Sequence, residues 1–347
     1  MSRRNLTLFV AGAAMLVLVC VAALIPVPYV TMKPGPTFDT LGKFENQPVI
    51  EIGSGVKTYP TDGSLRFTTV SVTSAGSRLS FGQAVSAWFD SDEAVVPRDV
   101  IYPDGQTAEE AEEETSLQMS SSKSISEAVA LREAGYDVGV SVQKPIDPDG
   151  PAAGKLENGD QIVAVDGQEM HSPDDVIAAI TTLDPGTDVA LAIERAGERR
   201  RLTLTTEPYP GEKSMSRIGV GVDYDFPVSI TNNVGEDIGG PSAGTMFALA
   251  MYDELTAGSL TGGAVVAGTG SITDDGTVEP IGGIQQKIAG AAAADSSVFL
   301  TPSGNCEEAA SGDDYGMKLV EVKTFEQAVD SLKALADDPD ADVPQCN

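Results

Sequence analysis

Histidine is almost absent from this chain: His171 is the only one in 347 residues. A zinc-protease helix needs two histidines on one face, so that chemistry is excluded, and a serine triad would have to depend on this one residue. His171 precedes an apparent helix and reads as an exposed loop residue. Basic residues are also scarce, with 22 Lys and Arg against 52 Asp and Glu and a formal charge of −30. Such a field repels phosphate backbones, so no nucleic-acid partner is expected. Cysteine is limited to Cys20, Cys306 and Cys346, which supply no paired-cysteine metal cluster. Nucleotide chemistry finds no support either. "GPAAGKL" imitates a phosphate loop, but three residues separate its glycines instead of four, and Leu156 stands where Ser or Thr would hold magnesium. No metal or cofactor is expected.

Apolar residues make up 41% of the chain, enough to bury the cores of one large domain or two ordinary ones. "MSRRN" is followed by an uncharged run from Leu6 to Ile25. Twenty helical residues at about 1.5 Å each cross a hydrocarbon core of roughly 30 Å. Arg3 and Arg4 would hold residues 1–5 in the cytoplasm as a short stub and place everything after the 6–25 anchor outside. A cleaved signal peptide is the alternative, but the run ends in "LIPVPYV" and lacks a small-residue cleavage site. On the outer side Cys306 and Cys346 can form a disulfide that ties down the acidic tail, residues 335–347; two free thiols are the alternative.

Residues 26–63, rich in Pro and Gly, read as an extended linker. "LRFTTVSVTS" then alternates like a strand, and "FGQAVSAWFD" reads as a short amphipathic helix. "TAEEAEEETS" is a solvated loop or helix face, followed by a helix in "SSKSISEAVALREAG" that Gly135 stops. Residues 136–207 form a self-contained pattern of strand, turn, strand, helix and paired strands, with Ser172 as N-cap and Pro173 at the first helical position. Its centre, "GPAAGKLENGDQIVAVDGQEM", resembles a PDZ domain of the kind attached to bacterial extracytoplasmic proteases. The resemblance implies capture of an extended peptide as an added strand, and Tyr136, Val138, Gly139 and Val140 are the expected peptide-binding residues. Asp137 is a poor neighbour for a bound carboxylate. A packing module without ligand is the alternative.

"IGGPSAGT", residues 238–245, spells Gly-x-Ser-x-Gly. Ser242 could simply cap the helix that follows. The small residues around it, Gly239, Gly240, Ala243 and Gly244, would also admit a substrate backbone beside the unpaired N–H groups of a helix start. No histidine follows, so serine attack would need another base, and a neutral lysine can serve. Of the four lysines downstream, Lys318, Lys323 and Lys333 read as surface charges. Lys287 lies in "EPIGGIQQKIAGA", where apolar and small neighbours would desolvate it.

These two motifs, in this order, resemble the active-site motifs of the Lon protease family. "AVVAGTGSITDDGTVEPIGG" is similar to the family's connection between them, and "SSVFLTPSGNCEEA" with "MKLVEVKTFEQAVDSL" to its closing strands and helix. The resemblance implies Ser242 as nucleophile and Lys287 as general base. Thr269 is implied as a supporting hydrogen-bond partner, with Gly240 and Ala243 supporting the nucleophile loop. Two departures matter: Gly239 stands where the family has an aspartate, leaving Asp237 as a substitute, and no Walker element accompanies the motifs. "SRIGVGVDYDFPVSI" is similar to the strand leading to the nucleophile.

The expected fold is α+β: a Lon-type proteolytic domain (64–135 and 216–334) with an inserted PDZ domain (136–207), preceded by one N-terminal transmembrane helix. The expected activity is ATP-independent endoproteolysis of protein or peptide substrates at a membrane, and the resemblance is compatible with a homo-oligomeric ring. A noncatalytic peptide-binding scaffold, or an adaptor acting through the PDZ groove, is the rival.

Overall fold

The structure, a computed structural model, describes residues 3–103, 105–235 and 238–347. The chain opens with helix α1 (Arg3–Ala23), continues through strands β1 (Tyr29–Asp39) and β2 (Ser64–Val72), and then forms helix α2 (Phe81–Trp88) and strand β3 (Ala94–Pro97). Helix α3 (Ala108–Glu133) leads to β4 (Gly139–Ile146), β5 (Gln161–Val165), helix α4 (Pro173–Thr181), β6 (Asp188–Arg195), β7 (Glu198–Thr205) and β8 (Val220–Asp225). The remainder alternates helix and strand: α5 (Gly244–Leu255), β9 (Val265–Gly268), α6 (Ile284–Ala292), β10 (Val298–Pro302), α7 (Cys306–Ala310), β11 (Lys318–Val322) and α8 (Phe325–Asp337). Contacts divide the chain into two units, Met1–Glu51 with Tyr59–Lys123 and Asn232–Asn347, and Ile52–Thr58 with Ser124–Thr231.

The first unit is built on a six-stranded sheet of order β11-β10-β9-β2-β1-β3. β2, β9, β10 and β11 run parallel, and β1 is antiparallel to both of its neighbours. Parallel strands buried on both faces read as apolar runs, and β10, "VFLTP", is buried at every position. Helix α5 is likewise apolar all round, and every residue in it except Glu254 is buried, as expected of a helix inside a core. Phe247 from α5 meets Phe67 of β2 edge to face at 5.3 Å.

The Pro/Gly passage read as a linker belongs to this sheet. β1 pairs with both β2 and β3, and the register slips between Pro34 and Thr37, so the prolines sit at a bulge where a missing N–H is tolerated. A Cβ on Gly35 would lie 2.3 Å from Thr69 Oγ1, so only glycine fits this crossing.

The second unit has the sheet order β7-β6-β5-β4-β8 around a core that includes Val142, Ile162, Val176, Ile180, Leu191 and Ile193. Ser172 caps α4 as expected: its Oγ accepts from Asp175 N at 3.0 Å, and Asp175 accepts from Ser172 N at 2.9 Å. "SRIGVGVDYDFPVSI" supplies β8, which pairs with β4 in this unit from Val220↔Ile146 to Asp225↔Gly139. It is not a strand of the sheet beside Ser242, because its alternating apolar residues complete the face begun by β4.

Candidate active site

Ser242 stands just before α5. Ala243, not Ser242, occupies the N-cap position, and no side chain among the described residues caps this helix. The loop is held from several directions. Gly240 has φ +87°, a left-handed conformation suited to glycine, and its N–H donates to Thr115 O at 2.9 Å. Ser122 Oγ donates to Pro241 O at 3.0 Å, and Gly270 N donates to Ser242 O at 2.9 Å. The serine hydroxyl is thus left free of capping and directed elsewhere.

Lys287 lies one turn into α6. Gly283 caps that helix in the left-handed region, at φ +70°, and a Cβ there would stand 2.8 Å from Met32 and 2.9 Å from Val70. Glycine therefore brings the helix start down onto β1 and β2. Lys287 is only 3% exposed, and its Nζ lies 2.7 Å from Ser242 Oγ and 2.8 Å from Thr269 Oγ1. Burial alone pushes its amine from 10.5 down to about 7, because the ammonium form loses its hydration.

Thr269 follows the end of β9 and is fully buried. Its hydroxyl donates to Ser242 O at 2.9 Å, so the oxygen keeps lone pairs to accept from Lys287. A neutral amine that donates to Thr269 can turn its lone pair toward Ser242 Oγ. Thr269 thereby orients both partners.

Behind α6, Asn305 Oδ1 accepts from Ile281 N at 2.8 Å and its Nδ2 donates to Ile281 O at 2.9 Å. This clamp fixes the backbone two residues before Gly283. Sequence reading passed over Asn305, although a buried asparagine beside an apolar strand requires such partners. The adjacent Cys306 is bonded to Cys346, with Cα atoms 4.8 Å apart, and Cys346 packs on the cluster containing Ile284 and Ile288.

Gly239, where the resemblance to the Lon family implies an aspartate, has no room for a side chain without a shift of Thr115. A Cβ there would lie 2.9 Å from Thr115 Cβ and 3.0 Å from its Oγ1. Asp237 lies outside the described residues. His171 is exposed, and its N–H donates to Asp175.

The expected peptide-binding residues stand elsewhere than at a free edge. Val138 and Val140 are buried, and β4 lies between β5 and β8, with Gly139 and Val140 paired to Asp225 and Tyr224 of β8. Tyr136 N is bound to Leu131 O at 2.9 Å. The edge strands of this sheet are β7 and β8. Between β8 and α4 runs a groove of about 750 Å³, lined by Ile146, Ile177, Ile180, Ile218, Val220 and Val222 among others. The overlooked signal was "RIGVGV", a glycine-spaced turn leading into an alternating strand. Arg217 at its head is paired with Asp147 and Glu207, each at 2.7 Å.

Comparison with known proteins finds similarity in two parts of the chain. The PDZ domain family matches residues 112–206, and the Lon protease (S16) C-terminal proteolytic domain matches residues 234–335. A probable periplasmic serine endoprotease, DegP-like, of Halomonas elongata is 36% identical over 88 residues, 22% of this chain and 19% of its own length. Lon protease 2 of Bacillus subtilis is 30% identical over 110 residues, 32% of this chain and 19% of its own. The chain thus spans about a fifth of the length of these relatives. Among solved structures, the PDZ domain of the SdrC-like protein from Listeria monocytogenes is 25% identical, covering 24% of this chain and 86% of that one at a TM-score of 0.23.

Proposed function

We propose that this chain, which contains a PDZ domain and a Lon-type proteolytic domain, is a membrane-anchored serine endopeptidase that acts outside the cytoplasm through Ser242 and Lys287. The observation that carries the reading is the buried lysine amine 2.7 Å from the serine hydroxyl, in a site where burial brings it to about 7. At that value a large fraction of the amine is neutral near pH 7, compared with about one lysine in two thousand at the ordinary value.

In acylation, neutral Lys287 accepts the Ser242 proton as Oγ attacks the peptide carbonyl carbon. The tetrahedral intermediate collapses as the C–N bond breaks, and the Lys287 ammonium gives its proton to the departing amine. Water then repeats the sequence on the acyl-enzyme, returning its proton through the same lysine. The N–H groups of Gly244, Thr245 and Met246 already donate to Pro241 O, Gly270 O and Ala243 O, so the backbone of the loop just before α5 is the proposed holder of the oxyanion. No step calls for a nucleotide, and cleavage of flexible segments without ATP is part of the proposal.

The membrane placement rests on α1, 21 residues long with a mean hydropathy of 2.6 over its most apolar window, and on the disulfide, which persists in oxidising compartments. The groove between β8 and α4 is the proposed peptide-capture site, through strand addition to β8 with side chains seated against Ile177 and Ile180. The PDZ domain is inserted in the sequence between parts of the first unit.

Cleavage of casein or an unfolded peptide by the wild type, Ser242→Ala and Lys287→Met tests the assignment. Each substitution should reduce the rate by at least about 100-fold, the range of a lost general base or more. Activity surviving either change would refute the dyad, and inactivity of all three proteins would favour the noncatalytic scaffold.

A further inference from the structure

Helix α2 carries its large apolar residues on the outside. Phe81, Val85 and Trp88 recur at i, i+4 and i+7, with Phe89 immediately after, and they are 49%, 38%, 74% and 84% exposed. The fully buried position of the helix is a small one, Ala87. A surface helix of a soluble domain has the opposite arrangement, with its large apolar stripe inward. Phe81–Trp88 contains no charged residue, whereas Asp90, Asp92 and Glu93 follow directly. The helix is well formed, since Ser80 and Gln83 make a reciprocal capping box.

The position of this stripe indicates its partner. Phe81 N–H donates to Ile25 O at 2.8 Å, just beyond the end of α1, and Pro26–Val27 pairs with Leu79–Ser80. A Cβ on Gly82 would lie 3.2 Å from Ala23 Cβ, so the two helices meet backbone to backbone. Leu24 and Ile25, between them, are also exposed. If α1 crosses the bilayer, its 21 residues end where a roughly 30 Å hydrocarbon layer ends, and α2 starts at that depth. Aromatic side chains, tryptophan above all, favour this layer because they offer an apolar body and a polar tip.

We propose that α2 lies in the outer membrane–water interface, with Phe81, Val85, Trp88 and Phe89 embedded among the upper acyl chains and the acidic run 90–93 in water. The occupant of the stripe is lipid, and the contact is an apolar one that does not depend on anionic headgroups. This rests on the reading of α1 as an anchor. Two attachments, one spanning and one lying flat, would fix the tilt of the first unit and hold its active site at a set distance from the bilayer.

Trp88 is the only tryptophan of the chain, so all tryptophan emission belongs to it. The full-length protein is reconstituted into phosphatidylcholine vesicles, floated, and its emission read with acyl chains brominated near the headgroup end or near the terminal methyl. The expected result is co-flotation, blue-shifted emission, loss of most of that emission to the headgroup-end bromine, and little quenching by aqueous iodide. Co-flotation with water-like emission and strong iodide quenching would overturn the proposal while leaving the anchor intact. Blue-shifted emission insensitive to either bromine would show protein, such as a second copy, covering the stripe, and would overturn it equally. Failure to float would remove the anchor reading and this inference together.

Discussion

Replacing Lys287 by Met should make the protein more stable near neutral pH while abolishing its proposed base. The side chain is buried and its amine is lowered from 10.5 to about 7, so between those values the unfolded chain holds a proton that the folded chain lacks. Stability therefore rises with pH across that window, and the penalty is greatest at and below its lower end. At pH 7 it amounts to about 4 kcal/mol, from 1.36 kcal/mol per unit with half the folded molecules still protonated. Methionine has nearly the same length and carries no charge to desolvate. It forfeits the hydrogen bonds to Ser242 and Thr269, worth about 1 kcal/mol each. Thr269 still donates to Ser242 O, which limits the damage. The net gain is about 2 kcal/mol at pH 7, or roughly 4–8 °C in Tm for a domain of this size. Near pH 10.5 the penalty is almost gone, and the variant should be the less stable protein by about 1–2 kcal/mol. Circular dichroism melts of both proteins between pH 7 and 10.5 would show the difference changing sign. A variant less stable at pH 7, or a Tm difference that is flat with pH, would refute the assignment of a desolvated amine.

Removing the Cys306–Cys346 bond by a double Ser substitution should cost about 4 kcal/mol on loop-closure entropy for a separation of 40 residues, read as a lower Tm that reductant does not lower further. Asn305→Leu should leave the sheet folded but lower the peptidase rate, because Ile281 loses both ends of its clamp ahead of the Lys287 helix; an unchanged rate would dismiss that positioning role. Asp253 is buried, with Oδ1 accepting from Leu260 N at 2.8 Å and Oδ2 without a partner among the described residues. Burial, with Asp62 nearby, raises its carboxyl from 3.8 to about 6. The folded form holds the proton longer, so stability falls as pH rises through that window, and Asp253→Asn should gain about 1–2 kcal/mol at pH 7 after the cost of an unpaired amide. Denaturant melts at pH 7 and pH 4 would show the gain at the higher pH only.

The site was more legible than the scaffold. Ser242 and Lys287 stood out as a candidate pair because no histidine follows Ser242 and only four lysines do, and the resemblance of the two motifs to the Lon protease family then singled out Lys287. Their separation of 2.7 Å follows from tertiary packing, through Gly283 lying on β1 and β2, which no local pattern displays. β1 was hidden because Pro34, Gly35 and Pro36 are turn residues by propensity, and only the bulge opposite Thr69 lets them stay in a sheet. The proposed peptide groove lies one strand away from the residues expected to hold a peptide. "DVGV" and "IGVGV" are equally good strand starts, and the sheet order alone shows that the first is enclosed by two neighbours and the second is an edge. The outward face of α2 could not be read either, because an amphipathic pattern gives the stripe but not the phase it faces.

Activation of Ser242 by a neutral buried lysine can be read from the pH dependence of Ser242 acylation with an activated ester. The serial observations need no knowledge of the natural substrate, and Ser242→Ala provides the blank. Acylation should fall on a single residue, Ser242, at a rate that rises through an apparent pKa near 7 to a plateau. A rate still climbing toward the ordinary lysine value of about 10.4, or acylation that persists in Ser242→Ala, would contradict it.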